Sequence, residues 1–515
     1  MKKLFLSVIL GATMMASAPC ANAANPGYKI DLEVKNPGMA EKPVYLAFYF
    51  NGKTYSKDTT VLNKKGVGTF NKKTTLDQGV YIVYFDENKY FDVLIGEDQN
   101  IKLKIDTTAL EKVQISGGKE SVGFQNLINF MGDHREQQKN LGQKYKDKKI
   151  DSLTFNKELD RLSEEVEAFQ NKLMNDNKGL WLEKFVKGTI PVDVPEMKEV
   201  PDSTRRLARY MYKKHHYFDN VDLSDPRFLR SPYFPSTVDS YMKNYLLQHP
   251  DTLYEAAVEL IEKSRYNKET FQTMCSKMLN YGLTSQQMGM DGLWCKLAQK
   301  YYLPNNGKPA EATWADSSWL EDLKKEVKKV RYNLIGMAAR DLRMKTDKDE
   351  PYSLKEVITE KNAKGEKINK YVLAYFFEPT CGHCKKTTPI LHDSVYAKFK
   401  PLGFEVFAVF TQTDKKEWTD FLDKHNLHDW HNVWDPDRES YFWEFYDATV
   451  TPGIYLIDAK DGKILAKKID MKTLDMILDE ELVNRPAAKA KIDKEEFLKQ
   501  KGIDVERYKE LTVKK

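Results

Sequence analysis

Two cysteines three residues apart carry the clearest chemical signal in this chain. The run Phe376-Phe377-Glu378-Pro379-Thr380-Cys381-Gly382-His383-Cys384-Lys385 places a Cys-x-x-Cys between an apolar segment and a helical one. Residues three apart in a first helical turn share a face, with Cβ atoms about 5–6 Å apart. A small adjustment brings such a pair to disulfide geometry. Cys381 falls at the helix start, where unpaired N–H groups and the helix dipole favour a thiolate. The thiolate is the species that attacks a disulfide, so Cys381 reads as a nucleophile and Cys384 as the thiol that resolves a mixed disulfide. His383 adds a polar neighbour that should favour the thiolate further. Zinc is the competing chemistry, but a structural site needs about four ligands, usually two such pairs. A loop this short also makes a poor structural staple.

Other candidate groups are weaker. Cys275 and Cys295 lie in apolar helical contexts and are expected to be unpaired core thiols, with a bridge between them as the competing reading. His425, His428 and His431, with Asp423 and Asp429 nearby, form a conceivable metal set, but they straddle the end of an expected helix. His215 and His216 are adjacent and so diverge on a helix. No glycine-rich phosphate loop and no Ser/His/Asp arrangement stands out, so neither cofactor nor metal is expected.

The elements around the pair read as β-α-β-α-β-β-α. Tyr371–Phe377 is a continuous apolar run and Phe404–Phe410 is apolar but for Glu405, so both read as buried strands. Asp414–Lys424 is an expected helix. Gly453–Ile457 and Lys463–Lys468 are strands joined at Asp461-Gly462, and Met471–Val483 is a closing helix. Pro389 sits inside the helix after Cys384, where it should kink it. After Pro486 the tail is lysine-rich with few apolar anchors and is expected to dock loosely.

Upstream the periodicity changes twice. Tyr28, Ile30, Leu32 and Val34 alternate with polar residues, as do Ile101, Leu103 and Ile105. Asn51-Gly52 directly follows the β-rich run Val44–Phe50, a strong hairpin signal. A small antiparallel sandwich is expected. After Ser116-Gly117-Gly118 the spacing turns helical: Phe155, Leu159, Leu162, Val166, Phe169 and Leu173 form one stripe. The lysine cluster over 139–149 reads as a solvated helix end. Helical character continues to about Arg331, interrupted by Pro191, Pro195, Pro226, Pro232 and Pro235.

Length and composition fit this division. At roughly 150 residues per domain, 515 residues suggest about three domains. The aromatic share of 12% excludes whole-chain disorder, and a net charge of +5 does not argue for nucleic acid. Mean hydropathy is −0.62, which excludes a polytopic membrane protein. Residues 1–23 read as an export signal: Lys2 and Lys3, an apolar run over 4–18, and Ala21-Asn22-Ala23 as a cleavage site. Lipid attachment at Cys20 is the weaker alternative, since the residues before it are Ser17-Ala18-Pro19. Export implies an oxidising periplasmic compartment. The expected divisions are a signal peptide at 1–23, a β-rich domain at 24–116, a helical domain at 117–331, an α/β domain at 332–483 and a charged tail at 484–515.

From about Ile335 to Val483 the chain resembles thioredoxin-fold domains of the periplasmic TlpA and ResA type. The resemblance rests on Cys381-Gly382-His383-Cys384, Pro389, the Thr451-Pro452 pair and the element order. It implies a cis proline at Pro452 facing the disulfide, thiol–disulfide oxidoreductase activity, protein disulfides or dithiols as substrates, and a membrane or periplasmic electron-transfer partner. The Cys-Gly-His-Cys core is the form found in protein disulfide isomerases, about 90 mV more oxidising than thioredoxin. Two positions depart from the thioredoxin pattern. Thr380 stands where a Trp is usual, and Tyr375 stands where a buried Asp is usual. That leaves Glu378 as the nearest carboxylate to serve as proton acceptor for Cys384. The whole chain, including Phe218–Arg227, resembles multi-domain envelope proteins in which a β-rich and a helical domain precede such a module. The competing function is an envelope binding or scaffold protein with a vestigial module.

Overall fold

The computed structural model describes residues 27–513, so the export signal and Cys20 lie outside the described residues. Two compact units divide between Tyr241 and Met242, and the helical region is shared between them.

The first unit opens with eight strands: β1 (Tyr28–Val34), β2 (Pro43–Phe50), β3 (Lys53–Val61), β4 (Val67–Lys72), β5 (Gly79–Asp86), β6 (Lys89–Ile95), β7 (Asn100–Ile105) and β8 (Gln114–Ser116). They form two four-stranded sheets, β4-β1-β7-β8 and β3-β2-β5-β6. Asn51 and Gly52 both have positive φ, 46° and 78°, as a tight turn between β2 and β3 demands. The alternating residues Ile30, Leu32, Ile101 and Leu103 meet Val44, Leu46 and Val83 in one core. One pairing differs from the antiparallel expectation: β1 and β7 run parallel. Sixty-odd residues of other strands separate them in sequence, so no hairpin fixes their direction.

Helices follow: α1 (Lys119–Lys146), α2 (Ser152–Asp176), α3 (Trp181–Thr189), α4 (Asp202–His216) and α5 (Tyr233–Ser240). Asp151 caps α2 by accepting from the Thr154 N–H at 2.8 Å. Leu162 and Leu173 of its apolar stripe are buried, and the lysines at the end of α1 are exposed.

The second unit starts with α6 (Pro250–Lys263), α7 (Lys268–Thr284), α8 (Asp291–Leu297) and α9 (Ser317–Val330). Then come β9 (Arg343–Thr346), β10 (Pro351–Ser353), α10 (Leu354–Thr359), β11 (Tyr371–Phe377), α11 (Gly382–Ile390), α12 (Ala397–Phe399), β12 (Phe404–Phe410), α13 (Lys415–His425), β13 (His431–Trp434), α14 (Phe442–Phe445), β14 (Gly453–Asp458), β15 (Lys463–Lys467) and α15 (Met471–Asp479). One sheet of seven strands runs β10-β9-β13-β12-β11-β14-β15. The sequence reading supplied four of these; β9, β10 and β13 were not expected. β11 is an interior strand, parallel to β12 and antiparallel to β14.

Successive β11 side chains point to opposite faces. Leu373, Tyr375 and Phe377 enter a core that also holds Cys384. Val372, Ala374 and Phe376 enter the core on the other face. The tail corrects the expectation of loose docking. Its helices α16 (Arg485–Ala490), α17 (Lys494–Gln500) and α18 (Val505–Glu510) send Phe497, Leu498, Val505 and Tyr508 into the same core as Cys384. Asp479 ties them down, accepting from the Tyr508 hydroxyl at 2.6 Å and from Lys494.

Candidate active site

The strand–turn–helix connection after β11 creates the site. The Cys381 N–H reaches the Glu378 carbonyl at 3.3 Å, closing a turn at the end of β11. The Cys381 carbonyl then accepts from the Lys385 N–H at 3.1 Å and begins α11. Cys381 is therefore the N-cap of a nine-residue helix, with Gly382, His383 and Cys384 forming its first turn. Pro389 lies inside α11 and cannot donate to the carbonyl four residues earlier. The helix loosens immediately afterwards into a π-helical segment over Leu391–Tyr396.

Both cysteines are free thiols, in contrasting surroundings. Cys384 is fully buried, and that burial pushes its pKa up to about 12. Cys381 is partly exposed. Partial burial works against its thiolate, but hydrogen bonds to Thr451, to the backbone of Cys384 and His383, and to the Cys384 thiol outweigh it. They hold Cys381 below the ordinary thiol value. In the protonated state, the Cys381 thiol donates to the Thr451 carbonyl at 3.3 Å. The Thr451–Pro452 peptide bond is cis. The loop before β14 thus lies against the Cys381 side of the pair.

The remaining residues singled out in the sequence fall around this centre. His383 is exposed. The Glu378 carboxylate accepts from Gln412 Nε2 at 2.7 Å, while the Glu378 backbone stands beside the Cys384 sulfur. Tyr375 is buried beneath α11, its hydroxyl 2.9 Å from that of Thr388. The three histidines are engaged separately. His425 packs on Phe421 at 4.5 Å between ring centres, His428 meets Asp423 at 2.8 Å, and His431 begins β13 facing Glu405 at 3.8 Å. No group of three metal-binding side chains occurs among the described residues. Cys275 and Cys295 are buried free thiols in α7 and α8.

A cleft of about 570 Å³ opens beside Cys381. Glu378, Gln412, Arg438, Trp443 and Val450 are among the residues that line it. The sequence reading missed Gln412, Arg438, Trp443 and Val450. Val450 alone carried a signal, being next to Thr451; the others arrive from turns after β12 and β13, and β13 was itself unrecognised.

A family model described as thioredoxin-like matches residues 369–464. Models described as domains of unknown function, DUF5106 and DUF4369, match residues 155–337 and 28–122. Among solved structures, similarity extends to the thioredoxin domain of a thiol-disulfide oxidoreductase from Bacteroides vulgatus. That domain is 26% identical over 29% of this chain and 97% of its own, with a TM-score of 0.25. A thiol:disulfide interchange protein from a Bacteroides species is 23% identical over 29% of this chain and 91% of its own, with a TM-score of 0.25. A thioredoxin-like protein from Bacteroides caccae is 18% identical over 57% of this chain and 98% of its own, with a TM-score of 0.38. No curated protein matches the sequence. With its matched family model and its strand–Cys-x-x-Cys–helix connection, the C-terminal region is a thioredoxin-like domain, preceded by a β-rich and a helical region.

Proposed function

We propose that the chain is an exported thiol–disulfide oxidoreductase that exchanges disulfides with proteins of the cell envelope. The observation that carries this reading is the split between the two thiols: Cys381 is held below the ordinary value at a helix start, and Cys384 is raised to about 12 by burial one turn inside. One is poised to attack and the other is kept as a thiol until needed.

In the reducing direction, the Cys381 thiolate attacks one sulfur of a substrate disulfide. A Cys381–substrate disulfide forms, the substrate S–S bond breaks, and the leaving thiolate takes a proton from water. Cys384 then gives up its proton and attacks the Cys381 sulfur. The mixed disulfide breaks, the second substrate thiolate leaves, and Cys381 and Cys384 are joined. Two electrons have passed from the pair to the substrate. The same steps run backwards oxidise a substrate dithiol. A membrane or periplasmic dithiol–disulfide partner returns the pair to its starting state.

Each supporting residue has a role in this scheme. His383 and Gly382 contribute the first turn whose N–H groups face the Cys381 sulfur. Thr451 and Pro452 shape the groove in which the substrate sulfur sits, and Pro389 ends the regular helix behind the pair. Glu378, the carboxylate among the cleft-lining residues, accepts the Cys384 proton. Glu378→Gln should then slow the resolving step by about tenfold or more below pH 8; an unchanged rate removes Glu378 from the scheme. Residues 24–116 and 117–331 take no part in the bond exchange, 332–483 perform it, 1–23 direct export, and 484–515 are an appended tail.

The test is Cys384→Ser in the mature protein. Mixed disulfides with envelope proteins should accumulate and disappear on adding dithiothreitol. In glutathione buffers the native pair should show one two-electron transition. Absence of both would leave the scaffold reading standing.

A further inference from the structure

The cleft beside Cys381 mixes aromatic, apolar and cationic side chains. One wall is α14, fixed to β11 by Phe442 stacked on Phe376, with ring centres 6.0 Å apart. That contact brings Trp443 to the cleft. The turn before α14 is held by the buried Asp435, which accepts from the Glu439 N–H at 3.1 Å, the Ser440 N–H at 2.9 Å and the Ser440 hydroxyl at 2.6 Å. Arg438 stands on that turn at φ 54°, its guanidinium 5.9 Å from the centre of the Trp443 ring. Val450 offers an apolar surface that is 76% exposed on the opposite loop.

The charges here are uneven. Glu378 accepts from the uncharged Gln412 amide and, like Glu439, has no ion-pair partner among the described residues. Asp437 is met by Lys345 at 2.7 Å, Glu444 by Arg331 at 3.5 Å, and Asp447 by Lys468 at 2.6 Å. Arg438 has no ion-pair partner among the described residues. A lone guanidinium beside an aromatic face and an exposed valine matches a ligand with a carboxylate next to an apolar side chain.

On the reading of Cys381 as the attacking thiol, we propose that this cleft selects disulfide-bearing polypeptide segments with a large apolar or aromatic residue and a carboxylate beside the attacked cysteine. Trp443 and Val450 take the apolar side chain, and Arg438 takes the carboxylate. Engagement of the flanking residues holds the substrate sulfur near Cys381 before attack, so the selection acts on kcat/KM.

The experiment uses short peptides, each with one cysteine joined to 2-mercaptoethanol in a mixed disulfide. The cysteine is flanked by Phe-Asp, Phe-Lys or Gly-Asp. The rate constant for reaction with the reduced protein is measured for each. The Phe-Asp peptide should react about fivefold faster than Phe-Lys, a margin suited to a partly exposed ion pair. It should react about tenfold faster than Gly-Asp, from burial of an aromatic ring. Arg438→Glu should invert the Asp-over-Lys preference, and Trp443→Ala should collapse the Phe-over-Gly preference. Arg438 is exposed, so its replacement should not disturb folding; a ratio between peptides also cancels any loss of folded protein. Equal rates for all three peptides, or an Asp-over-Lys ratio unmoved by Arg438→Glu, would overturn the inference while leaving disulfide exchange intact. Failure of the protein to react even with bis(2-hydroxyethyl) disulfide, which makes none of these contacts, would instead remove the oxidoreductase reading itself.

Discussion

Cys381 and Cys384 at the start of α11 and Cys275 and Cys295 in α7 and α8 are four thiols of the same unit, yet they occupy opposite chemical situations. Burial raises Cys275 far above the thiol range and pushes Cys295 up to about 12. Cys384 is raised as far as Cys295. By ionisation alone, then, Cys384 belongs with the core thiols. What separates the two pairs is Cys381, which sits before the first helical residue, is partly exposed, and faces the His383 and Cys384 backbone N–H groups of the first turn. A helix N-terminus, one exposed edge and a neighbouring loop favour the thiolate of a cysteine, whereas apolar packing alone disfavours it.

The largest effect that could break this comparison is on exchange itself. Cys381→Ser should lower the rate of disulfide exchange by about a thousandfold or more, since an alcohol does not replace a thiolate. Cys275→Ala should leave that rate unchanged while costing about 1–2 kcal/mol of stability from the lost buried sulfur. Loss of exchange in Cys275→Ala, with the unfolding midpoint intact, would mean that the helical layer takes part in the redox chemistry.

Alkylation sharpens the contrast within the active pair. On the reduced native protein, Cys381 should react with iodoacetamide at least about tenfold faster than Cys384, because rate follows thiolate fraction and access. Cys275 and Cys295 should label only on unfolding. Mass spectrometry of digests taken over time measures all four. Faster labelling at Cys384 would reverse the assigned roles.

How much of this was legible beforehand depends on how each element announces itself. β11 is a seven-residue apolar run and β12 is apolar but for Glu405, both are buried almost throughout, and such runs stand out in any sequence. β9 carries one buried residue in four, and β13 is a four-residue strand opening on a histidine. Both exist because a neighbouring strand offers its edge, and no local pattern records that. His431 read as a metal candidate for this reason: its strand was invisible, so its pairing with Glu405 was too. The tail failed differently. Its anchors Phe497, Leu498, Val505 and Tyr508 are spread over two short helices, too few in each to make a stripe. The cysteine pair and Thr451-Pro452 were legible because their spacing is local. The cleft was not, because Arg438 and Gln412 meet only after β12 and β13 take their places in the sheet.

A third test uses pH. Cys295 and Cys384 are acids whose pKa is raised in the fold, to about 12 each. The neutral thiol is favoured when folded, so their contribution to stability is complete below the unfolded value of about 8.5 and drains away as pH rises toward 12. Each thiol contributes at most about 1.4 kcal/mol per pH unit in that window. Urea unfolding of the reduced protein at pH 8, 9 and 10 should therefore show falling stability. Cys295→Ala should flatten the slope even though it lowers the starting value. An unchanged slope would mean that Cys295 ionises as easily in the fold as out of it, and the grouping of core thiols would fail.

The smallest expected effect concerns Tyr375, which stands where the thioredoxin pattern carries a buried acid. Its ring stacks on Phe377 with centres 5.7 Å apart and meets Trp430 edge-on at 6.0 Å. Burial raises its phenol far above the ordinary range, and the nearby Cys384 raises it further. A phenol in that state neither gives nor takes a proton at working pH. Its hydroxyl instead ties β11 to α11 through Thr388, one turn beyond Cys384. Tyr375→Phe keeps the ring and removes that tie. The orphaned Thr388 hydroxyl can turn to the Cys384 carbonyl four residues back, as helical threonines do. The loss should therefore be about 0.5–1.5 kcal/mol of stability, read by urea unfolding, with the exchange rate changed by less than about twofold. A tenfold fall in exchange at an unchanged unfolding midpoint would mean that the hydroxyl carries the Cys384 proton. Tyr375 would then be doing the work of the missing carboxylate, and Glu378 would lose that role.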